Sequence, residues 1–312
     1  MIGRSALLAA FVAGCGVSHS GVGEQGEGAD AATEDGAIGA GATDAGAVAM
    51  TGPVTSIIGE IHLHQFPSGG HAWAEFLDTA RPVSDVRGDS ITEVDTAPTM
   101  ADGPCTLYVS PTCAPSCAGA TYCAAPQTCA PLVESIDVDA GEIHVTGSSV
   151  VATIRLRANA TGSYLAEPPP GSARLFAGGD LLALAGGASD NAFTGQLPAP
   201  PPVAVTSPDW NAALHLPTVG PLSLAWTSEH SDEMVVRIFA SGAGRGSAYI
   251  RCDLPDLGAL KVSSAMMAGL PAPPRTTRLE IERAEQRIFP IARPGVGVLA
   301  HAAQTSWKNG TD

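Results

Sequence analysis

His62 and His64 stand two residues apart in Glu60-Ile61-His62-Leu63-His64-Gln65-Phe66, and His71 follows seven residues later. Successive side chains of an extended strand alternate between faces, so imidazoles at i and i+2 share one face, here with Glu60 beside them. Neutral imidazoles are ligands for zinc or copper, and a hairpin brings a third within reach. His62, His64 and His71 are therefore the candidate metal ligands. A water-facing strand that happens to carry two polar rings fits the same pattern, and both readings stand at this stage.

The second chemical set is cysteine. Six of the seven, Cys105, Cys113, Cys117, Cys123, Cys129 and Cys252, lie in the body of the chain. Their spacings depart from the paired CxxC of zinc sites, and an even set in an exported chain implies disulfides of open connectivity. The seventh, Cys15, closes the apolar run Ser5–Ala13 in Val12-Ala13-Gly14-Cys15, with Arg4 before it. Nine apolar residues are too few to span a bilayer and suit a signal-peptide core. Small residues before the cysteine resemble a bacterial lipobox, which implies lipid attachment at Cys15 and anchorage at the cell envelope. Gly16 in the following position implies the outer membrane.

Other chemistry finds little support. No Gly-x-Ser-x-Gly elbow, His-Glu-x-x-His or phosphate-binding loop is present, so no catalysis and no cofactor are expected. Gly242-Ala243-Gly244-Arg245-Gly246 reads as a hairpin turn, and Asp253 and Asp256 beside Pro255 read as turn residues. Trp210 and Tyr122 are the aromatics best placed to stack on a ligand such as a glycan. A net charge of −15 disfavours nucleic-acid partners.

The elements that must position these residues are strands. With 36 Gly, 25 Pro and few aromatics, long helices are not expected. Period-two alternation marks Ile57–Phe66, Ala72–Leu77, Glu142–Val145, Val150–Arg157, Leu222–Trp226, Met234–Phe239 and Arg278–Glu282. The pairs Arg155/Arg157 and Glu280/Glu282 are expected on solvated faces. Only Ser263–Leu270 reads as helical. Residues 1–15 are the leader. Residues 16–51, rich in Gly, Ala and acid without Lys or Arg, form a disordered tether reaching roughly 30 Å. Pro198-Ala199-Pro200-Pro201-Pro202 marks a boundary, giving a first β-sandwich over 52–201 that carries the cysteine cluster and a second over 202–312. The stretch from Pro294 to Asp312, small and polar apart from Trp307, is expected to fray.

The cysteine cluster, the run Val138-Asp139-Ala140-Gly141-Glu142-Ile143-His144-Val145-Thr146-Gly147, and Leu175-Phe176-Ala177-Gly178-Gly179-Asp180 together resemble a group of predicted surface lipoproteins of myxobacteria and their relatives. Leu222–Trp226 and Ile250–Gly258 are similar to that group's later segments. The resemblance implies β-sandwich lipoproteins without an assigned activity. Trp226 and the strand after it also resemble fibronectin type III and immunoglobulin-like modules. The His-x-His string resembles segments of copper-zinc superoxide dismutases and cupins but departs from both. Gly59 stands three residues before His62 rather than two, and no glutamate follows His64 at cupin spacing. The expectation is an all-β, antiparallel, lipid-anchored protein with a structural or interaction role, its partners being the membrane through the lipid and an envelope protein or glycan. A carbohydrate-binding module and a metal-binding protein are the alternatives.

Overall fold

The computed structural model describes residues 53–83, 98–110, 121–125, 127–131, 139–158, 164–166, 174–242 and 246–312. The expected leader and tether, with Cys15, and also Cys113 and Cys117, lie outside the described residues. All described residues belong to one compact unit, Met50–Asp312. The first half of the chain contributes β1 (Ser56–Phe66), β2 (Gly69–Pro82), β3 (Pro98–Asp102), β4 (Cys105–Val109), β5 (Thr121–Ala125), β6 (Thr128–Pro131), β7 (Ile143–Thr146), β8 (Thr153–Ala158) and β9 (Tyr164–Ala166). Then follow β10 (Leu181–Gly186), β11 (Phe193–Pro198), β12 (Val205–Ser207), β13 (Leu222–Trp226), β14 (Glu233–Gly242), β15 (Gly246–Leu254), β16 (Ala259–Val262), α1 (Ser264–Ala268), β17 (Arg275–Pro290) and β18 (Val296–Thr311). The expected helix is α1, started by the Ser263 hydroxyl, which accepts from the Met266 amide.

Thirteen strands form one mixed sheet in the order β11-β10-β7-β8-β9-β2-β1-β18-β17-β14-β15-β4-β3, beside a small sheet β12-β13-β16 and the pair β5-β6. Pairing is antiparallel throughout except that β1 and β18 run parallel. Two hydrophobic cores form. The first joins Ile61 and Leu63 of β1, Phe76 of β2, and Val298, Ala300 and Ala302 of β18 to Ile143, Leu156, Leu184 and Phe193. The second packs Val236, Ile238, Ile250, Leu279 and Ile281 under Leu224, Trp226, Val262, Met266 and Met267. Strand register puts both cores on the same face of the main sheet, since Ile281 of β17 lies opposite Val236 of β14 and Ser306 of β18. Gly195 of β11 allows the layers to meet: a Cβ there would stand 2.2 Å from the Phe289 ring.

Residue 201 falls between the two cores, whereas the main sheet runs through both sides of it. A buried ionic node pins the chain at that crossing. Arg283 Nε donates to Asp256 at 3.1 Å, and its other nitrogens donate to the carbonyls of Pro201, Pro202 and Thr227. Asp256 also accepts from Trp226 Nε1 at 2.8 Å and from the Glu229 amide at 2.9 Å. These donors and the guanidinium outweigh burial and hold its carboxyl below the usual range.

Two expectations require correction. The C-terminal stretch is not frayed: β18 runs 16 residues and sits between β1 and β17 in the middle of the sheet. Its alanines look like weak anchors, yet Ala300, Ala302 and Ala303 are fully buried where neighbouring strands carry the bulk. Glu282 is not solvated either; it is buried on the sheet face opposite the cores, with Glu280 beside it mostly covered. β14 and β15 pair antiparallel up to Gly242 opposite Gly246, and the expected turn residues 243–245 lie outside the described residues. Cys105 is bonded to Cys252 across β4 and β15, and Cys129 is also in a disulfide. Backbone register sets Cys123 opposite Cys129. No helix among the described residues is long and apolar enough to cross a membrane.

Candidate metal centre

Beyond the irregularity at Ile57–Gly59, Ile61 and Leu63 of β1 enter the first core, so alternation sends Glu60, His62 and His64 to the opposite face. Parallel pairing sets His62 directly beside His301 of β18. The three imidazoles converge: one ring nitrogen from each of His62, His64 and His301 lies within 4.8 Å of the others. All three residues are buried, at 2%, 3% and 1% exposure. His301 Nδ1 and His64 Nε2 face one another at 3.2 Å. Two ligand nitrogens of a tetrahedral zinc with bonds of 2.0–2.1 Å stand ~3.3 Å apart, so this pair is already at bridging distance. His62 is the outer member, its ring centroid 6.0 Å from His64 and 5.7 Å from His301.

Carboxylates stand behind two of the rings. Glu60 Oε2 is 3.4 Å from His62 Nε2, and Glu282 Oε2 is 3.7 Å from His64 Nδ1. That leaves His62 Nδ1 for a metal, buried without a hydrogen-bond partner, and His64 Nε2, whose hydrogen bond with His301 Nδ1 a metal would replace. A carboxylate behind a ligating imidazole orients the ring and raises its basicity. Each carboxylate is itself fixed. Arg237 donates twice to Glu282, at 3.2 and 3.3 Å, and the Thr305 hydroxyl donates to it at 3.0 Å. Arg81 donates to Glu60 and, at 3.4 Å, to Glu75. Trp73 of β2 stacks on His62 with centroids 4.8 Å apart and planes 6° from parallel, closing the cluster on one side.

Burial sets the protonation state. Desolvation lowers the His64 pKa to about 3 against the weaker pull of Glu282, and desolvation with the neighbouring His64 takes His301 well below its ordinary value. Both are neutral at physiological pH, the form that binds metal. For Glu282, burial favours the neutral acid, but the Arg237 guanidinium, which donates to it twice, outweighs burial and holds the carboxyl well below its usual range.

The structure brings two of the three sequence-derived ligands together and replaces the third. His71 lies opposite His64 in the β1–β2 register but is exposed, its ring edge-on to Phe66 at 5.7 Å. His301 takes its place. It carries no motif, lies 237 residues from His64, and sits in the stretch expected to fray. The usable signal was the alternation of Leu299, His301, Ala303 and Thr305 against Val298, Ala300 and Ala302. Trp210 is half-buried against the second core, with the Lys308 ammonium 5.8 Å over its ring. Tyr122 lies on β5, its side chain outside the described set. Asp253 pairs with Arg251, and Asp256 serves the buried node.

No protein-family model and no curated protein matches the chain. The chemistry of the site therefore rests on its own geometry.

Proposed function

We propose that this protein is an exported, lipid-anchored β protein of the cell envelope that binds one divalent transition metal, zinc or copper, through His62, His64 and His301. One observation carries the reading: three buried imidazoles converge, two of them held neutral by burial, with carboxylates behind two of the rings. Burying three such rings without a task costs desolvation and leaves His62 Nδ1 unpaired, whereas a bound cation satisfies all three. Imidazole suits zinc and copper and is a poor ligand for calcium or magnesium. The two cores on one face of the sheet support two sandwich-like units that share strands. The apolar leader ending in Cys15 and the disulfide-bonded Cys105, Cys252 and Cys129 support export.

Dialysis of purified protein against zinc, followed by elemental analysis, tests the site. One zinc per chain is expected for the native protein and for His71→Ala, and loss is expected for His64→Ala and His301→Ala. Retention by His301→Ala refutes the assignment. Mass analysis of the processed N-terminus tests the anchor: Cys15 should be the first residue and carry acyl chains.

A further inference from the structure

Among the described residues the ligand set is incomplete for a closed site. Structural zinc takes four protein ligands, and sites with three leave the fourth position to water or substrate. Among the described residues only His62, His64 and His301 form the group. The two nearest carboxylates are engaged elsewhere. Glu282 accepts two bonds from Arg237 and one from Thr305, and Glu60 accepts from Arg81 while standing behind His62. The carboxylates around the centre are matched to arginines: Arg81 serves both Glu60 and Glu75, Arg237 serves Glu282 and lies 3.9 Å from Glu280, and Arg278 pairs with Glu280. Among the described residues a divalent ion therefore gains no anionic ligand of its own, and a negative fourth ligand is favoured there.

Resting on the metal-binding reading above, we infer that the centre keeps an exchangeable fourth position that takes a small monodentate anion or hydroxide, with Glu60 and Glu282 as positioning residues and not ligands. Such a position is where a metal-bound hydroxide forms or a small anionic ligand is captured.

Cobalt(II) reports coordination through its visible bands. The experiment loads the full-length protein with cobalt, confirms one ion per chain, and titrates sodium azide. A saturable change in the bands with the cobalt retained is the expected result. Bands indifferent to azide at one cobalt per chain overturn the open position while leaving metal binding intact, whereas failure to take up cobalt, zinc or copper overturns the metal-binding reading itself. Glu282→Gln should keep an azide-responsive spectrum and weaken cobalt affinity about 10–100-fold, the effect of losing a group behind a ligand. An azide response seen only in Glu282→Gln shows that the carboxylate fills the fourth position in the native protein, and overturns its assigned role.

Discussion

Replacing Arg283 by Met tests whether the crossing between the two cores is held by one buried cation. The side chain is fully buried and donates to Asp256 and to three carbonyls, two of them from Pro201 and Pro202. Methionine fills much of the volume but donates nothing. Asp256 then keeps bonds from Trp226, Glu229 and Ser231 but loses its countercharge. Removing one partner of a buried ion pair costs about 3–5 kcal/mol, and the new apolar contact offsets part of the carbonyl loss, so about 4 kcal/mol is expected. For a unit of this size that corresponds to a fall in Tm of roughly 8–16 °C. Urea unfolding followed by tryptophan fluorescence measures it, with Arg287→Met as the control. Arg287 lies on the same strand, pairs with Asp232 and is half-exposed, so its loss should cost under about 1 kcal/mol. Adding Asp256→Asn to Arg283→Met should recover part of the loss, because the stranded charge is gone. Equal effects at Arg283 and Arg287 would refute the node as a structural anchor.

Gly195→Ala forces a methyl into the Phe289 ring and should destabilise by about 1–3 kcal/mol, read as a lower urea midpoint. The Cys105–Cys252 bond spans 147 residues, so loop closure assigns it up to ~5 kcal/mol; adding a reductant to the unfolding experiment should lower the midpoint accordingly, and no change would show that the link does not constrain the unfolded chain. The metal-free protein should lose stability in acid. His64 and His301 stay neutral in the fold and gain protons on unfolding below pH 6.5, while Glu233 and Glu285, both raised to about 7 chiefly by burial, act in the opposite direction above pH 4.5. Between pH 4.5 and 6.5 these contributions oppose one another, with Glu280, also raised by burial, on the side of the carboxylates. Below pH 4.5 Glu282 joins the histidines, and lower still Asp256 and other carboxylates held below their usual range add to it, each contributing up to about 1.4 kcal/mol per pH unit. A level curve down to pH 3 would contradict the buried neutral imidazoles. Copper(II) should quench the fluorescence of Trp73, stacked on His62, and the quenching should vanish in Trp73→Phe.

Much of the strand inventory was legible because one face of each strand enters a core. Ile57–Phe66, Ile143–Val145, Leu222–Trp226 and Met234–Phe239 alternate in sequence and form β1, β7, β13 and β14. What alternation cannot convey is what lies on the other face. Glu280 and Glu282 read as solvent-facing because charge at every second position normally is, yet here that face is buried too. Ionic partners make this tolerable: Arg237 reaches Glu282 from β14, and Arg278 reaches Glu280 along β17. Neither pairing has a sequence signature, because each depends on register between strands distant in the chain or on a side-chain direction.

The site was half legible for the same reason. His62 and His64 announce themselves through local spacing, since two residues along a strand is a fixed distance and a fixed face. His301 cannot, because its place depends on the single parallel pairing in the main sheet, between the first strand and the last. That register is enforced by packing and not by the histidines. Val298, Ala300 and Ala302 must enter the first core alongside Ile61 and Leu63, and a slip of one residue would carry all of them out of that core together to the opposite face. The same slip would turn His301 away from His62 and His64. The hydrophobic pattern of β18 therefore positions the third imidazole, and the small size of its alanines, which hid the strand in the sequence, lets it lie in the middle of the sheet where that ring is needed.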